Sequence, residues 1–294
     1  MDSKFVFLIL HYLNADVTIR CIESIINTIQ QKNFEIVVVD NASNNGSVEE
    51  LVERYGNKTE IHFLFNKVNL GYAQGNNVGF VYAKNILHAD FICLANNDVI
   101  FSDKQWCNKV LDIYEKESYY VLGPDVVTPQ GEHQNPFRPE VFGIGKVMKN
   151  LFHDIVVYIL LKLGIQKKIR NKLNIKSVWE NCNWSESQFD FSGVLHGSCL
   201  IFSPAFIGEF DGFYKGTFLY VEEDILFYIL HKLHCKYVYC KDLQVLHYHA
   251  TSLKRTIQDE NQRKMMAVKN RIKSYAKFLK IILNHKKAAT YLKA

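Results

Sequence analysis

Carboxylate side chains stand at three places in this sequence where an apolar run begins or ends. Asp40 closes EIVVVD, Asp98 closes LANND, and three further acids lie inside FLYVEEDILF. A carboxylate that ends a strand can accept hydrogen bonds from a base or ribose, or hold a hard cation such as Mg²⁺ that bridges to a pyrophosphate. Either residue alone would more simply cap a turn. As a pair, they favour a nucleotide-diphosphate site that uses a metal ion.

The three adjacent acids Glu222, Glu223 and Asp224 open a predicted helix. Acids in a first turn complement the helix dipole, which is a purely structural explanation. The flanking runs are strongly apolar, however, so at least one carboxylate should be partly desolvated. Desolvation raises a carboxyl pKa and suits a general base. His247 in VLHYHATS is a candidate metal or phosphate partner, although His249 fits the spacing equally well and a lone histidine there is usually structural.

The stretch NLGYAQGNNVGF has the glycine content of a phosphate-binding loop but not its spacing. Its glycines recur every fourth residue, whereas the dinucleotide fingerprint needs GxGxxG directly after a strand, and no P-loop lysine follows. Two interpretations remain. Either the stretch edges a nucleotide site with Asn69 and Asn76 as polar contacts, or Gly75 and Gly79 let a helix pack closely on a sheet.

The first half of the chain alternates strand and helix patterns, which predicts a parallel sheet with helices on both faces. Ser47 is the expected N-cap of one helix and Gly56 its stop. Ligands of such sheets bind at the carboxyl ends of the strands. We expect strands at 6–10, 35–39, 61–65 and 90–95, helices at 18–31, 47–56 and from the glycine stretch to about 87, and a shared edge formed by the polar clusters 11–14, 40–47, 66–72 and 96–98.

The second half has a looser pattern. It predicts a basic amphipathic helical segment, a strand pair or hairpin followed by a helix from Pro204, an acid-opened helix, two short strands, and one or two long basic helices from Asp259 onwards. These elements correspond to residues 140–176, 189–204, 219–233, KYVYC with LQVLHYH, and 259–294.

Composition is that of a soluble enzyme, with 48% hydrophobic and 22% charged residues and a net charge of +5. Seven cysteines without a CxxC pair predict reduced cytosolic thiols rather than a disulfide or zinc framework. We expect no signal peptide, because MDSK leads directly into FVFLIL, and no membrane span, because no apolar run reaches about 18 residues.

Two basic blocks favour contact with an anionic surface. Residues 146–176 carry eight Lys or Arg against one acid, and residues 261–294 carry ten and no acid. Each block also has an apolar stripe at helical spacing, so we expect peripheral association with a membrane. The alternative is that both stripes pack on the main domain. Nucleic-acid binding is disfavoured because a helix-turn-helix, a zinc finger and an aromatic RNA platform are all lacking. The stripes are Leu151, Ile155, Ile159 and Leu163, and Met265, Val268, Ile272, Tyr275, Leu279 and Ile282.

Seven motifs occur in the order seen in family-two glycosyltransferases of the GT-A fold, over roughly residues 4–255. They are ILHYLN, VVVDNASNNGS, NLGYAQGNNVGF, LANNDV, HGSCLIF, FLYVEEDI and VLHYH. The sequence most resembles the subgroup that makes bacterial rhamnosyl and related surface-polysaccharide linkages. The resemblance implies an α/β fold with a mostly parallel central sheet flanked by helices. It implies a GT-A domain at 1–255, with a nucleotide-sugar half at 1–125, an acceptor half at 126–255 containing the insertion 140–176, and a basic helical extension at 256–294.

On the donor side, the resemblance implies that His11 and the adjoining main chain line the nucleoside pocket and that Asp40 contacts the base. Asp98 matches the last acid of the Asp-x-Asp motif and would contact Mg²⁺ or Mn²⁺, with His247 approaching the diphosphate or the metal. The motif reads Asn96-Asn97-Asp98, so a single carboxylate remains for the cation. Further donor contacts are implied for Asn69, Gly71, Asn76 and Asn97.

On the acceptor side, the resemblance places Gly197 near the acceptor. Glu222 and Glu223 match the Glu and Asp of the family's Glu-Asp motif, which makes Glu223 the expected base; an alignment shifted by one would make Asp224 the base.

The resemblance therefore implies inverting transfer of a sugar from dTDP-rhamnose or a UDP-sugar to a hydroxyl of a glycan, with a lipid-linked acceptor in bacterial capsule or O-antigen synthesis. It implies a cytoplasmic enzyme on the inner face of the membrane. A catalytically silent sugar-nucleotide-binding subunit is the alternative that the weakened Asp-x-Asp motif leaves open.

Overall fold

The computed structural model describes residues 3–165, 191–248 and 259–293. Its described strands are β1 Phe5–His11, β2 Phe34–Asp40, β3 Ile61–Phe65, β4 Phe91–Asn96, β5 Val99–Phe101, β6 Val121–Val127, β7 Cys199–Phe202 and β8 Tyr237–His247. They form one eight-stranded sheet in the order β3-β2-β1-β4-β7-β6-β8-β5.

Helices cover both faces of the sheet because the central strands are apolar on both sides. In β1, Val6 and Leu8 join one core cluster and Phe5, Phe7 and Ile9 the other, and all five are fully buried. One core cluster is closed by helices α1 Ala15–Thr28, α2 Ser47–Tyr55 and α4 Trp106–Glu117, and the other by α3 Gly71–Asn85, α6 Pro204–Glu209, α7 Glu222–Lys232 and α8 Glu260–Leu283. Helix α5 Ile144–Lys162 lies against α8, which is followed by a 3-10 helix at His285–Leu292.

The direction of the strands brings the predicted polar clusters to one edge of the sheet. Strands β1 to β4 are parallel, with His11 opposite Asp40 and Leu10 opposite Asn96 in register. Strand β7 is antiparallel to β4 and β6, and β8 is parallel to β6. The carboxyl ends of β1, β2, β4, β6 and β8 therefore meet the amino end of β7, which confirms the expected shared edge.

Several local predictions need correction. Gly46, with φ of +82°, caps α2, because the Ser47 side chain donates to Asn45 Oδ1 at 2.7 Å instead of capping the helix. No hairpin forms in the described part of 189–204: β7 is a single strand between β4 and β6. The two expected short strands are one strand, β8, with a register shift opposite Pro124/Asp125.

The two basic helices pack on each other. Asp154 of α5 is 3% exposed and accepts hydrogen bonds from Arg271 of α8 at 2.7 and 2.9 Å. The apolar stripe of α8 faces the core, since Val268 and Tyr275 are buried. For α8 the alternative of packing on the main domain is therefore correct. Residues 166–176 of the first basic block lie outside the described residues. No described helix is long and apolar enough to cross a membrane.

Candidate active site

The loops after β1 and β2 are held by buried polar contacts. Asp40 is 5% exposed and accepts the Ser43 amide with both carboxylate oxygens, at 3.2 and 3.1 Å. The ring of His11 is fully buried, with Thr18 Oγ1 at 2.8 Å and Ser47 Oγ at 2.9 Å. Burial lowers the pKa of His11 to about 4 against the opposing charge of Asp40, so the ring is neutral. Both ring nitrogens are occupied by hydroxyl groups of α1 and α2, and a contact between the His11 segment and a nucleoside stays a prediction.

Asn41 organises the turn that leads from β3 into α3, and sequence reasoning did not single it out. Its side chain is 3% exposed, donates to Asn69 Oδ1 and to the Gly71 carbonyl at 3.0 and 3.1 Å, and accepts from the Leu70 amide at 2.9 Å. Asn69 Oδ1 in turn accepts from the Gly71 amide at 2.8 Å. The asparagine directly after Asp40 at the end of β2 was the available signal.

The glycines of α3 serve two different purposes. Gly71 has φ of +78°, and a Cβ there would lie 2.0 Å from the Phe218 carbonyl oxygen, so the backbones of two segments meet at this point. A Cβ on Gly75 would meet Leu10 at 2.8 Å, and one on Gly79 would meet Leu8 at 2.1 Å. Close packing of the helix on the sheet, one of the two interpretations, is thus confirmed for Gly75 and Gly79.

Asn76 stands one turn into α3 and is 1% exposed. Its amide nitrogen donates to the Tyr72 carbonyl at 3.0 Å, while its Oδ1 is buried with no hydrogen-bond partner. A buried acceptor without a partner carries a desolvation penalty unless a ligand or water satisfies it. The contact of Asn76 with a donor stays a prediction.

Segment 210–218 runs alongside α3 and is hydrogen-bonded to it along its length. Three polar side chains and one main-chain amide of α3 bond to the main chain of the segment, which ties α3 to the chain that leads into α7. The contacts are Lys84 Nζ to the Phe210 carbonyl at 2.9 Å, Asn77 to the Phe213 carbonyl and amide at 2.7 and 2.8 Å, Gln74 to the Lys215 carbonyl at 2.8 Å, and the Tyr72 amide to the Phe218 carbonyl at 2.8 Å.

Asp98 and His247, predicted as metal ligands from distant parts of the sequence, lie side by side. Asp98 Oδ1 is 3.2 Å from His247 Nε2, and both residues are buried. The neighbouring Asn97 donates to Thr18 Oγ1 at 3.0 Å, which fixes the loop onto α1. His249 lies outside the described residues.

The metal ligands that Asp98 and His247 offer fit a divalent cation whose remaining coordination positions are filled by phosphate oxygens. His247 Nδ1 lies 2.7 Å from Gln134 Oε1, which orients the ring so that Nε2 points at the Asp98 carboxylate. In this orientation Nε2 and the carboxylate can share a proton or hold a cation between them. One carboxylate and one imidazole form an incomplete site, and Mg²⁺ and Mn²⁺ commonly complete such sites with substrate phosphates. The described residues hold no group of three or more potential ligands, in keeping with that incompleteness.

Of the three adjacent acids, Asp224 is committed to an ion pair. It is 1% exposed and accepts from Arg138 Nε at 2.9 Å and Nη2 at 3.4 Å. The guanidinium is itself stacked between Phe137 and Phe142, at 4.4 and 4.6 Å from the ring centroids. Burial raises the Asp224 pKa, and Arg138 opposes that shift. Sequence reasoning missed Arg138, because nothing local connects it to an acid 86 residues away.

Glu223 lies against Gly197, the residue that the resemblance places near the acceptor. A Cβ at Gly197 would be 2.3 Å from Glu223 Oε1, so any larger residue there would displace the carboxylate from this position. Glu223 is half-buried. Burial raises its pKa to about 7, with Asp224 adding to the shift and Arg138 opposing it. A carboxyl group with that pKa can accept a proton near neutral pH.

Glu222 faces inward. It is 4% exposed, and its Oε1 has no hydrogen-bond partner. Burial and the neighbouring Glu223 raise its pKa to about 8. The two preceding residues, Tyr220 and Val221, have φ of +71° and +73°. A left-handed backbone is unfavourable for a β-branched residue and is typical of strained functional sites.

His196 links the two halves of the site and was also missed, although it stands in the quoted motif HGSCLIF. Its Nδ1 accepts the Ser198 amide at 3.1 Å, and its ring centroid is 5.7 Å from that of His247. The next residue, Gly197, touches Glu223. Two consecutive residues before β7 therefore contact the carboxylate with the raised pKa on one side and the Asp98–His247 pair on the other.

The mixed sheet, its polar edge and the acids opening α7 define a GT-A fold, as the sequence predicted. Solved structures agree. GalNAc-T7 with UDP, GalNAc and Mn²⁺ matches with a TM-score of 0.62 at 12% identity, covering 97% of this chain and 50% of that chain. TarS 1–349 of S. aureus in complex with UDP matches with a TM-score of 0.53 at 16% identity, covering 97% of this chain and 72% of that chain.

The sequence model of glycosyl transferase family 2 matches residues 7–174, more than half of the chain, and the chain belongs to this family. The low-salt glycan biosynthesis hexosyltransferase Agl10 of Haloferax volcanii is 24% identical over 190 residues, which are 64% of this chain. Those residues are 50% of the relative, so the chain spans about half the length of the curated relative it matches. The predicted family is thus confirmed.

Proposed function

We propose that the protein transfers a sugar from a nucleotide-diphosphate donor to a hydroxyl group of a glycan, with inversion at the anomeric carbon. The observation that carries the proposal is the pair His196–Gly197, which joins a candidate base to a candidate diphosphate site. Gly197 contacts Glu223, whose pKa is raised to about 7, and His196 contacts His247 beside Asp98. A base for the acceptor and a charge-stabilising site for the leaving group are the two components that such a transfer requires.

Glu223 takes the proton of the acceptor hydroxyl in this reaction. The acceptor oxygen attacks the anomeric carbon from the face opposite the diphosphate, and the bond to the diphosphate oxygen breaks with its electron pair. The products are the glycosylated acceptor and the nucleoside diphosphate. Asp224 is held by Arg138 and stays outside the proton transfer in this proposal, and that ion pair supports Glu223 over Asp224 as the base. A divalent cation at Asp98 and His247 would supply electrostatic stabilisation of the leaving diphosphate.

We propose a UDP-sugar or dTDP-rhamnose as the donor, with Asp40 and the Asn41 network on the nucleoside side. Two structural neighbours were solved with UDP, one of them also with Mn²⁺, and the relative in Haloferax volcanii is described as a hexosyltransferase. The halves 1–125 and 126–255 would then serve donor and acceptor. We propose a lipid-linked acceptor used in surface-polysaccharide synthesis at the inner face of the membrane, in keeping with the basic blocks.

A thermal-shift panel of nucleoside diphosphates and nucleotide sugars, with and without Mg²⁺ or Mn²⁺, tests the donor site. A donor at about 100 times its Kd stabilises a protein by about 2.7 kcal/mol, which for a chain of this length raises Tm by roughly 4–5 °C. We expect one nucleotide to give this shift, and the cation to increase it. Asp98→Asn should remove the increase caused by the cation, whereas Asp112→Asn on the exposed side of α4 should not. A nucleotide shift that is identical with and without the cation would contradict the proposed metal site.

The pH dependence of transfer tests the base. Glu223 must be ionised to accept a proton, and its pKa is raised from 4.5 to about 7. Activity is therefore present above this pKa, and kcat/KM should fall about tenfold per pH unit below it. Donor binding measured over the same pH range separates lost turnover from lost affinity. An acid limb near pH 4.5, the ordinary value for this carboxyl, would argue for a different base.

A further inference from the structure

The outer face of α5 carries an unusual concentration of exposed apolar side chains. Phe152 is 68% exposed, Met148 54% and Ile159 50%. They recur every three or four residues, so they form a single stripe along the helix. More than half of the large apolar side chains that the described residues expose lie between 144 and 165. Besides the three residues already named, the exposed apolar side chains between 144 and 165 are Ile144, Ile155, Val156, Leu163 and Ile165.

The stripe faces outward because the opposite side of α5 is anchored. Val147 is fully buried in the core, and Asn150 donates to the Tyr275 hydroxyl at 3.3 Å. The ion pair between Asp154 and Arg271 adds two short hydrogen bonds on the same side. Rotation of α5 to bury the stripe would break these contacts and leave the Asp154 carboxylate without its partner. The exposed stripe is therefore a property of how the helix is packed.

Charge narrows the choice of partner for this stripe. The lysines of α5, Lys146, Lys149 and Lys162, are exposed, and its one acid, Asp154, is neutralised by Arg271. The exposed surface of the helix is thus apolar and cationic, with no exposed carboxylate. An apolar face flanked by lysines is typical of helices that lie in the interface of a membrane. A protein partner would have to bring acids of its own, whereas anionic lipid supplies both acyl chains and negative charge.

We infer that the outer face of α5 binds an anionic lipid surface, with the helix lying flat on it and the apolar stripe inserted. This inference rests on the proposed transfer to a lipid-linked acceptor, and it assigns the membrane contact to α5 and not to the stripe of α8, which is buried. The 19 residues of the helix extend along about 28 Å of that surface.

The position of α5 suits an acceptor carried by lipid. Phe142 stands two residues before the helix and stacks on Arg138, which holds Asp224 next to Glu223. The amino end of the membrane-binding helix thus lies close to the acids that would act on the acceptor.

Flotation of the full-length protein with vesicles tests the inference. We expect binding to vesicles of phosphatidylcholine mixed with phosphatidylglycerol, and little binding to phosphatidylcholine alone. Phe152→Gln with Ile159→Gln should lower the vesicle partition coefficient by about tenfold or more, since both side chains are exposed and lose apolar contact with lipid. Replacing Lys146 and Lys149 by Gln should lower it by about fivefold per lysine, and the effect should fade at high salt.

A matched double variant, Ile86→Gln with Leu283→Gln, removes two equally exposed apolar side chains elsewhere, at 60% and 62% exposure. It should bind vesicles like the wild type. Equal binding by the α5 variant, or a loss in the matched variant, would overturn the assignment. Light scattering of the protein without vesicles tests whether a second copy of the chain covers the stripe instead. A dimer that dissociates in the Phe152 and Ile159 variant would make that second copy the partner and overturn the lipid assignment. Donor binding measured by thermal shift should be unchanged in all variants, so a failed donor site is recognised separately.

Discussion

Glu223→Gln should lower the turnover of sugar transfer by about 10²–10⁴-fold, the usual contribution of a positioned general base. The amide keeps the size and the position beside Gly197 but cannot take the proton of the acceptor hydroxyl. Donor binding should be retained, because the Asp98–His247 pair and the Asn41 network are untouched. Turnover is measured as release of nucleoside diphosphate with acceptor present, and donor binding by thermal shift.

Two companion variants make this result specific. Glu115→Gln, on the exposed side of α4, should leave turnover unchanged. Glu222→Gln should reduce turnover less than Glu223→Gln, since Glu222 faces inward and is 4% exposed. Near wild-type turnover in Glu223→Gln would remove Glu223 from the role of base. The same loss in Glu222→Gln with donor binding intact would transfer that role to Glu222.

Arg138→Met should lower the free energy of unfolding by about 3–5 kcal/mol, because it leaves the Asp224 carboxylate buried without a cation. The Asp224 pKa is already raised by burial, and removal of Arg138 takes away the interaction that opposes this shift. A carboxyl group with a raised folded-state pKa destabilises the protein increasingly as pH rises above the unfolded value. The loss should therefore be largest at neutral pH and should shrink as pH falls and Asp224 is protonated. Urea unfolding at several pH values measures it.

The control for this variant is an arginine in an exposed ion pair. Arg54 lies 3.3 Å from Glu23 with its side chain 53% exposed, so Arg54→Met should cost less than about 1 kcal/mol. Adding Asp224→Asn to Arg138→Met should recover part of the stability, since an amide has no charge to desolvate. A loss that is small, or independent of pH, would show that Asp224 does not depend on Arg138.

The sequence predicted the fold and the polar edge of the sheet because both depend on local patterns. Runs such as FVFLIL and EIVVV are buried on both faces, and they fix the parallel strands whose ends bring Asp40 and Asp98 to one edge. Contacts between distant segments could not be predicted in the same way. The choice between Glu223 and Asp224 depends on Arg138, and the orientation of the His247 ring depends on Gln134. Neither partner is near in sequence.

The two basic amphipathic stripes also show that contacts between distant segments cannot be predicted from local patterns. Both have apolar residues at helical spacing beside lysines, and the sequence gives no reason to treat them differently. In the structure α8 buries Val268 and Tyr275, whereas α5 exposes Phe152 and Ile159. The difference arises from the tertiary packing of each helix, including which side of α5 carries Asp154. Periodicity identifies an apolar face, but the partner of that face is decided by the rest of the molecule.

The hydrogen bonds between α3 and segment 210–218 have a consequence for how this family of transferases can diversify. Gly71 and the polar residues of α3 are matched to the main chain of a segment about 140 residues later, which leads directly to Glu222 and Glu223. If segment 210–218 were replaced by that of a relative in order to alter acceptor choice, its main chain would not match the hydrogen-bonding side chains of this α3. Residues 1–125 and 126–255 are therefore poor interchangeable modules, and recombination between relatives should succeed only when α3 and segment 210–218 are inherited together.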